Sequence, residues 1–441
     1  MNTSVKDFFD TDYVDQSSYD NLRKIASVVD GQKNAARKVL YTILEKNIKD
    51  ELKVKQLGEK ASEFAEYLHG NMDPVIVNLA QNFAGTNNIP LLVREGNFGT
   101  RFSQGASASR YIYTHGSPEF FKYFNKEDND ILVGQTFEGA KIEPRFYVPD
   151  LPMILVNGSE GVSFGFAQKI LSRNPKKLAK AIEHRLENKT VDKRLMYPYF
   201  EGFSGPVKQG DNDAQWLIYG VIKRLGVNRI QISELPVGYD LKGYLDVLDS
   251  LEEKKIIQSY VDQSENDNFL FEVTMLSKTL RELTDEEILS QLKLIKKVTE
   301  NYTVIDENNK IKVFDNSLDL LDHYIKVKLE YLGKRKAHQL ATIQQSIDID
   351  QSKYLFIQSI VENKLVINKR KKVDIEKDLS GLKNIIKVDD KYDYLLSMNI
   401  LSLTEERMAV LRANVEKNKQ ALSELQKTTI NGMWQSVLSG V

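Results

Sequence analysis

Two stripes of apolar residues about eighty positions apart constrain this chain more than any other feature. Leu329, Leu332, Leu340, Ile343 and Ile347 form the first, and Met408, Leu411, Val415, Leu422 and Leu425 the second, with Asn418 at the missing step. Three-four spacing places such residues on one helix face, as in a coiled-coil seam. Isolated helices of this kind bury too little to stand alone. The stripes therefore predict an antiparallel coiled-coil arm, and the helical stretch between them, "YLFIQSIVENKLVI" to "YDYLLSMNILSLT", predicts a globular knob at its tip. A knob carried on an arm is expected to meet a second copy of itself.

The 441 residues leave ample chain upstream for further domains. From Asn34, "NAARKVLYTILEKNIKDELKV" places Leu40, Leu44, Ile48 and Leu52 four apart with Ile43 beside them, the stripe of an amphipathic helix that leaves Arg37, Lys38 and Lys49 off the buried face. "VKQLGEKASEFAEYLHG" reads as two short helices with a turn near Gly58 and a stop at Gly70. In "NMDPVIVNLAQNFAG", Asp73 is expected as N-cap, Pro74 at the first helical position and Gly85 as the stop. Strand-like "IPLLV" and "RYIYT" follow, so residues 1–145 suggest a helix-turn-helix or winged-helix module. Residues 146–325 mix strands, turns and helices, with a hairpin expected in "YTVIDENNKIKVF". The overall class is α+β and multidomain, with residues 326–441 forming the arm and its dimer gate.

Composition narrows the chemistry. There is no cysteine, hence no disulfide, thiol nucleophile or Cys-based zinc site, and five scattered histidines do not suggest a metal cluster. The longest apolar run, Leu151 to Val156, is too short to span a bilayer, and the acidic, Phe-rich N-terminus lacks the pattern of a signal peptide. An intracellular, cytoplasmic protein with no membrane partner is expected. The formal net charge is −1, yet residues 21–60 carry ten Lys/Arg against five acids, a local excess that fits either a solvated helix face or a nucleic-acid contact. Neither a Gly-x-x-x-x-Gly-Lys-Ser/Thr phosphate loop nor a closely spaced acidic trio of the Asp-x-Asp type in a strand-turn context is visible.

Several segments, in order along the chain, resemble a known family. "VVDGQKNAARKVLYTI" resembles the motif that opens the DNA-cleavage module of type IIA DNA topoisomerases, and "ELKVKQL…YLHG" the helix-turn-helix and His-Gly that follow it. "LAQNFAGTNNIPLL…GNFGTR…SRYIYT" is similar to the approach to their catalytic tyrosine, and "EPRFYVPDLPMILVNGSEGVSFGFA" to their DNA-bending loop. "ISELPVG" and "YDYLLSMNILSLT" are similar to a tower strand and the C-terminal gate. Only nine residues separate Arg101 from Tyr111, without the longer insert of the cellular eukaryotic enzymes. In this the chain looks most like a breakage-reunion subunit of phage type, the medium subunit of T4-like phage topoisomerases.

The resemblance implies a winged-helix DNA-gate domain, an α/β tower domain and coiled-coil arms ending in a dimer gate. It implies an ATP-dependent isomerase acting in DNA replication, in which two copies cut both strands of one duplex through 5′-phosphotyrosine links, pass a second duplex and reseal the break. Tyr111 would be the nucleophile and Arg110 its phosphate-steadying neighbour, with Arg37 and His69 at further catalytic positions. Lys33, Lys38 and Arg101 would contact DNA, and Val162 would stand where the family carries a wedge between base pairs. Tyr113, two residues beyond the nucleophile, is expected on the other face of its strand, in a structural role. "DGQKNAARK" lacks the usual proline and glutamine of the opening motif, although Lys33 and Arg37 keep its register. ATP and Mg²⁺ would be held by a partner chain with ATPase and TOPRIM domains. Two other classes stay open: a non-catalytic, DNA-bending architectural protein, and a metal-dependent nuclease with an acidic cluster of its own.

Overall fold

The computed structural model describes residues 5–399 and 402–441. Residues 400 and 401, inside the segment "YDYLLSMNILSLT", lie outside the described residues. The chain divides into two compact units, one running up to Lys328 and including Val437–Val441, the other Leu329–Ser436.

In the first unit, helix Asn34–Lys46 buries Val39, Leu40, Ile43 and Leu44. It ends a turn earlier than the spacing of Ile48 and Leu52 suggests. Asn47 adopts a left-handed conformation (φ 50°, ψ 49°), and its N–H closes the helix on the Ile43 and Leu44 carbonyls. Leu52 belongs instead to the two-residue strand Leu52–Lys53. Helix Val54–Phe64 runs unbroken through Gly58, where the sequence suggested a turn. Its glycine permits close approach: a Cβ there would lie 2.7 Å from Asp73 Oδ1, at the start of helix Asp73–Ala80. These three helices pack on one another, and the hairpin Gln135–Phe137 with Ala140–Ile142 forms the wing. Positive φ at Glu138 and Gly139 suits the two-residue turn between its strands. This is the winged-helix module.

The strand-rich region that follows belongs to the same unit. A hairpin, Ser159–Ser163 with Phe166–Ile170, comes first. A four-stranded antiparallel sheet then runs in the order Ser259–Asp262, Phe271–Thr274, Arg229–Glu234 and Val221–Arg224. Helices Leu241–Glu253 and Asp285–Gln291 bury Tyr244, Leu248 and Ile288 in a core with Ile230, Ile232, Phe271 and Val273 of that sheet. The expected hairpin of "YTVIDENNKIKVF" is present as Tyr302–Ile305 with Ile311–Phe314. A buried ion pair ties the region together, with Arg173 Nη1 and Nη2 donating to Glu300 Oε1 and Oε2 at 2.6 and 2.7 Å. The same carboxylate accepts from Trp216, Tyr302 and the Leu171 N–H.

The second unit is the coiled-coil arm with its knob. Helix Ser317–Val361 enters it from the first unit, and helix Glu405–Lys427 returns. Met408, Leu411, Val415, Asn418, Leu422 and Leu425 are all at least partly buried, while residues between them are mostly exposed. The two helices run antiparallel: Asn418 Nδ2 donates to Ser346 Oγ at 3.2 Å, and Lys336 Nζ to the Thr428 carbonyl at 2.7 Å. The polar step in the stripe thus finds a partner on the facing helix. Phe356, Leu365, Ile375, Leu379, Ile385, Tyr392 and Leu395 close a separate core at the knob. No described helix is long and apolar enough to cross a membrane.

Candidate active site

Tyr111 is 67% exposed, and the side chains around it explain why. Ile112, next in the chain, is buried, and its carbonyl accepts the Val54 N–H at 3.0 Å. Thr114, also buried, donates its hydroxyl to the Val93 carbonyl at 2.6 Å. Between them Tyr113 pairs with Lys53 and bridges to Glu95. Successive residues of extended backbone point to opposite sides. Burying Ile112 and Thr114 therefore drives both Tyr111 and Tyr113 outward. Tyr113, 38% exposed, lies on the same side as Tyr111, which corrects its placement on the other face.

The glycine-rich loop ahead of this segment is tied down at several points. Gln81 Nε2 donates to the Phe98 and Gln104 carbonyls at 2.8 and 3.3 Å, and Phe98 is buried. Gly99 holds φ +90°, and a Cβ there would lie 2.4 Å from the Gln104 carbonyl oxygen. Small residues are needed because the loop folds back on its own backbone. Arg101 anchors it. Its Nη1 lies 3.2 Å from Glu234 Oε1, its Nη2 donates to the Leu235 carbonyl at 2.7 Å, and Phe203 and Phe269 flank its guanidinium. At 6% exposure this arginine is a structural tie, which corrects its expected contact with DNA.

Arg110 is exposed, with its guanidinium 5.0 Å from the centroid of the Tyr111 ring. A cation in that position is attracted to the ring face, and its planar donors match the geometry of a phosphate. The pair therefore offers a nucleophilic oxygen and an anion-binding fork on one accessible surface.

The opening motif is arranged differently from its sequence reading. Arg37 and Lys38 were placed off the buried face, yet both are under 10% exposed. Arg37 Nε and Nη2 donate to Asp30 Oδ2 and Oδ1 at 2.6 and 3.0 Å, and Nη2 also reaches the Gln32 carbonyl. Burial alone would lower the pKa of Arg37, but the Asp30 charge and hydrogen bonds outweigh it and raise it. Asp30 also accepts the Tyr147 and Gln32 N–H groups. Arg37 thus braces the loop, with its Nε and Nη2 donors taken up by these bonds. Lys38 Nζ donates to Glu143 Oε2 at 2.8 Å and to the Ala65 carbonyl, so it too is turned inward rather than toward DNA. Gly31 (φ +69°) keeps the loop in shape without the usual proline: a Cβ there would lie 2.4 Å from the Ile154 backbone nitrogen.

His69 is exposed beside Gly70 and is hydrogen-bonded through Nε2 to the Tyr19 hydroxyl. The rings of Tyr19 and Tyr67 lie 5.6 and 5.8 Å from its own. Lys33 Nζ donates to the Glu160 carbonyl at 2.6 Å, and burial lowers its pKa, partly offset by the Glu160 charge. Val162, 71% exposed, stands on the hairpin Ser159–Ser163 with Phe166–Ile170. Among the described residues no hydrogen bond or ring contact joins Tyr111 to Arg37 or His69. Sequence reading missed Asp30 and Glu143, the carboxylates that claim Arg37 and Lys38, and Tyr19, which holds His69. Asp30 lay within the quoted motif, but nothing in its spacing marked it as a partner. As to metals, no three His, Asp or Glu residues among those described are grouped to hold an ion.

Residues 23–439 match the family model of the A-type subunits of DNA gyrase/topoisomerase IV. The mitochondrial DNA topoisomerase 2 of Dictyostelium discoideum is 32% identical over 98% of this chain and 34% of its own length. DNA topoisomerase 2 of Saccharomyces cerevisiae is 30% identical over 98% of this chain and 34% of its own. The chain thus spans about a third of the length of these relatives. A solved structure, the topoisomerase II DNA-binding, cleavage and re-ligation domain of Plasmodium falciparum, is 31% identical with a TM-score of 0.88, over 98% of this chain and 63% of that one. With an exposed Arg-Tyr pair, a winged helix, a coiled-coil arm and a family match over almost its whole length, this chain belongs to the family of DNA gyrase/topoisomerase IV A-type subunits.

Proposed function

We propose that this chain is the DNA cleavage and religation part of an ATP-dependent type IIA DNA topoisomerase. The observation that carries the reading is the exposed Arg110–Tyr111 pair, held outward by the burial of Ile112 and Thr114. The Tyr111 oxygen attacks a backbone phosphorus while the bond to the 3′ oxygen breaks. The phenol gives up its proton, the 3′ oxygen takes one up, and the 5′ phosphate stays joined to the protein. A phosphotyrosine diester keeps the energy of the broken bond, so the reverse attack reseals the strand. A neutral phenol is a weak nucleophile, so nearby cations must favour loss of its proton as the new bond forms. Arg110 does so by donating to the phosphate oxygens as charge develops. His69 is a second phosphate contact, Lys33 a DNA contact and Val162 the wedge that bends the duplex.

Two copies form the DNA gate and the exit gate. A partner chain of ATPase/TOPRIM type brings ATP hydrolysis, which drives the gate movements, and the Mg²⁺ chemistry, for which this chain has no grouped ligands among its described residues. The short spacing between Arg101 and Tyr111 supports the phage-type arrangement, in which these functions lie on separate chains in the host cytoplasm.

The test is to mix the chain with its partner, Mg²⁺ and supercoiled DNA, then denature with detergent. Wild-type protein is expected to remain attached to 5′ DNA ends, and Tyr111→Phe to yield no attached DNA while still binding it. Attachment persisting in Tyr111→Phe would assign the nucleophile elsewhere. Unchanged activity of that variant with no attachment in either protein would favour the architectural reading.

A further inference from the structure

The hairpin Ser159–Ser163 with Phe166–Ile170 raises a mechanical problem. It is two-stranded, its tip exposes Val162, Phe164 and Phe166, and such a hairpin is marginally stable unless something packs against it. Its base is secured by Gln168, which accepts the Ala26 N–H at 3.1 Å and donates to the Thr303 carbonyl at 2.7 Å. The support nearer the tip comes from helix Asp12–Lys24. Ser163 Oγ donates to Asp20 Oδ2 at 2.8 Å, and Asp20, 7% exposed, is further paired with Lys24 at 3.0 Å. The Tyr13 and Phe164 rings meet edge-on, 6.1 Å between centroids. Gly161 lies so close to the helix end that a Cβ would sit 2.2 Å from the Lys24 carbonyl oxygen. Most of this helix, up to residue 22, precedes the segment matched by the family model.

We propose that helix Asp12–Lys24 is a buttress for the bending hairpin, with Asp20 and Tyr13 as positioning residues that hold its tip against the restoring force of a bent duplex. The inference rests on the reading of Val162 as the wedge. A kinked duplex pushes back on whatever unstacks it. A tip free to fold away would let the DNA straighten while leaving phosphate contacts, and hence affinity, largely intact. The Asp20–Ser163 hydrogen bond and the Tyr13–Phe164 contact close that route, and Gly161 lets the hairpin lie flush on the helix.

The experiment uses the full chain and a short duplex carrying a fluorescent donor and acceptor at its two ends, read for bending by energy transfer and for affinity by titration. Asp20→Ala and Ser163→Ala are each expected to lower the bent fraction about threefold to tenfold, the factor carried by one net hydrogen bond, with affinity changed less than about twofold. Asp20→Asn keeps an acceptor for Ser163 and is expected to restore bending. Val162→Ala is the reference. If it straightens the DNA while Asp20→Ala and Ser163→Ala bend it normally, the buttress is overturned and the wedge stands. If Val162→Ala bends DNA like wild type, the wedge reading falls and the buttress with it. Ser163→Ala removes the same bond from the hairpin side, so the proposal stays open to refutation even if Asp20→Ala misfolds and loses helical signal.

Discussion

Arg110 and Arg37 carry the same side chain and differ in what their surroundings leave free. Arg110 is exposed over the Tyr111 ring, whereas Arg37 is buried against Asp30. Substitution separates the two roles. Arg110→Ala is expected to lower single-turnover DNA cleavage by about 10²–10³-fold, the cost of one lost oxyanion donor, with little change in unfolding midpoint. Arg37→Ala leaves the buried Asp30 carboxylate unpaired and is expected to cost about 3–5 kcal/mol in denaturant unfolding. A third residue tests the His69 arrangement. Tyr19→Phe removes only the hydroxyl bonded to His69 Nε2, and is expected to slow cleavage about threefold to tenfold, with DNA affinity kept. An unchanged cleavage rate would mean that His69 needs no such holder.

At the level of elements, the strand-rich region depends on one carboxylate. Glu300 is bonded to Arg173, Trp216, Tyr302 and the Leu171 N–H, all in the interior. Burial pushes its pKa up, but the Arg173 charge and these hydrogen bonds prevail and hold it below the ordinary 4.5. A carboxylate with a depressed pKa contributes stability that is fully present above its unfolded value and lost as pH falls through the folded one. Glu300→Gln is therefore expected to cost about 3–5 kcal/mol at pH 7. The gap between variant and wild type should narrow as pH drops below about 4.5, measured by urea unfolding at several pH values. Other elements show how local signals misled. Gly58 marks close helix packing rather than a turn, and Asn47 stops a helix whose apolar spacing continues. The neighbour at Asp73 is not written in a local pattern, whereas the left-handed stop has its signal in the asparagine itself.

For the whole molecule, the core of Leu329–Ser436 is separate from that of the first unit. Calorimetry is expected to resolve two unfolding transitions. Leu379→Ala, which empties a fully buried position in the knob, should lower one by about 2–5 kcal/mol and leave the other in place. A single transition that moves as one would show that the units fold together.

The coiled-coil stripes, the winged-helix order and the Arg-Tyr segment could all be read from sequence, because each depends on spacing between near neighbours. The stripe is legible down to Asn418, whose partner Ser346 lies on the facing helix. Spacing also marked Arg37, Lys38 and Arg101 as cations, but not that they are spent. Their partners Asp30, Glu143 and Glu234 are settled only once the chain has folded, two of them more than a hundred residues away. Whether a charge is free to meet DNA depends on which carboxylate is buried beside it. That is a matter of desolvation and three-dimensional proximity, which a linear pattern does not contain.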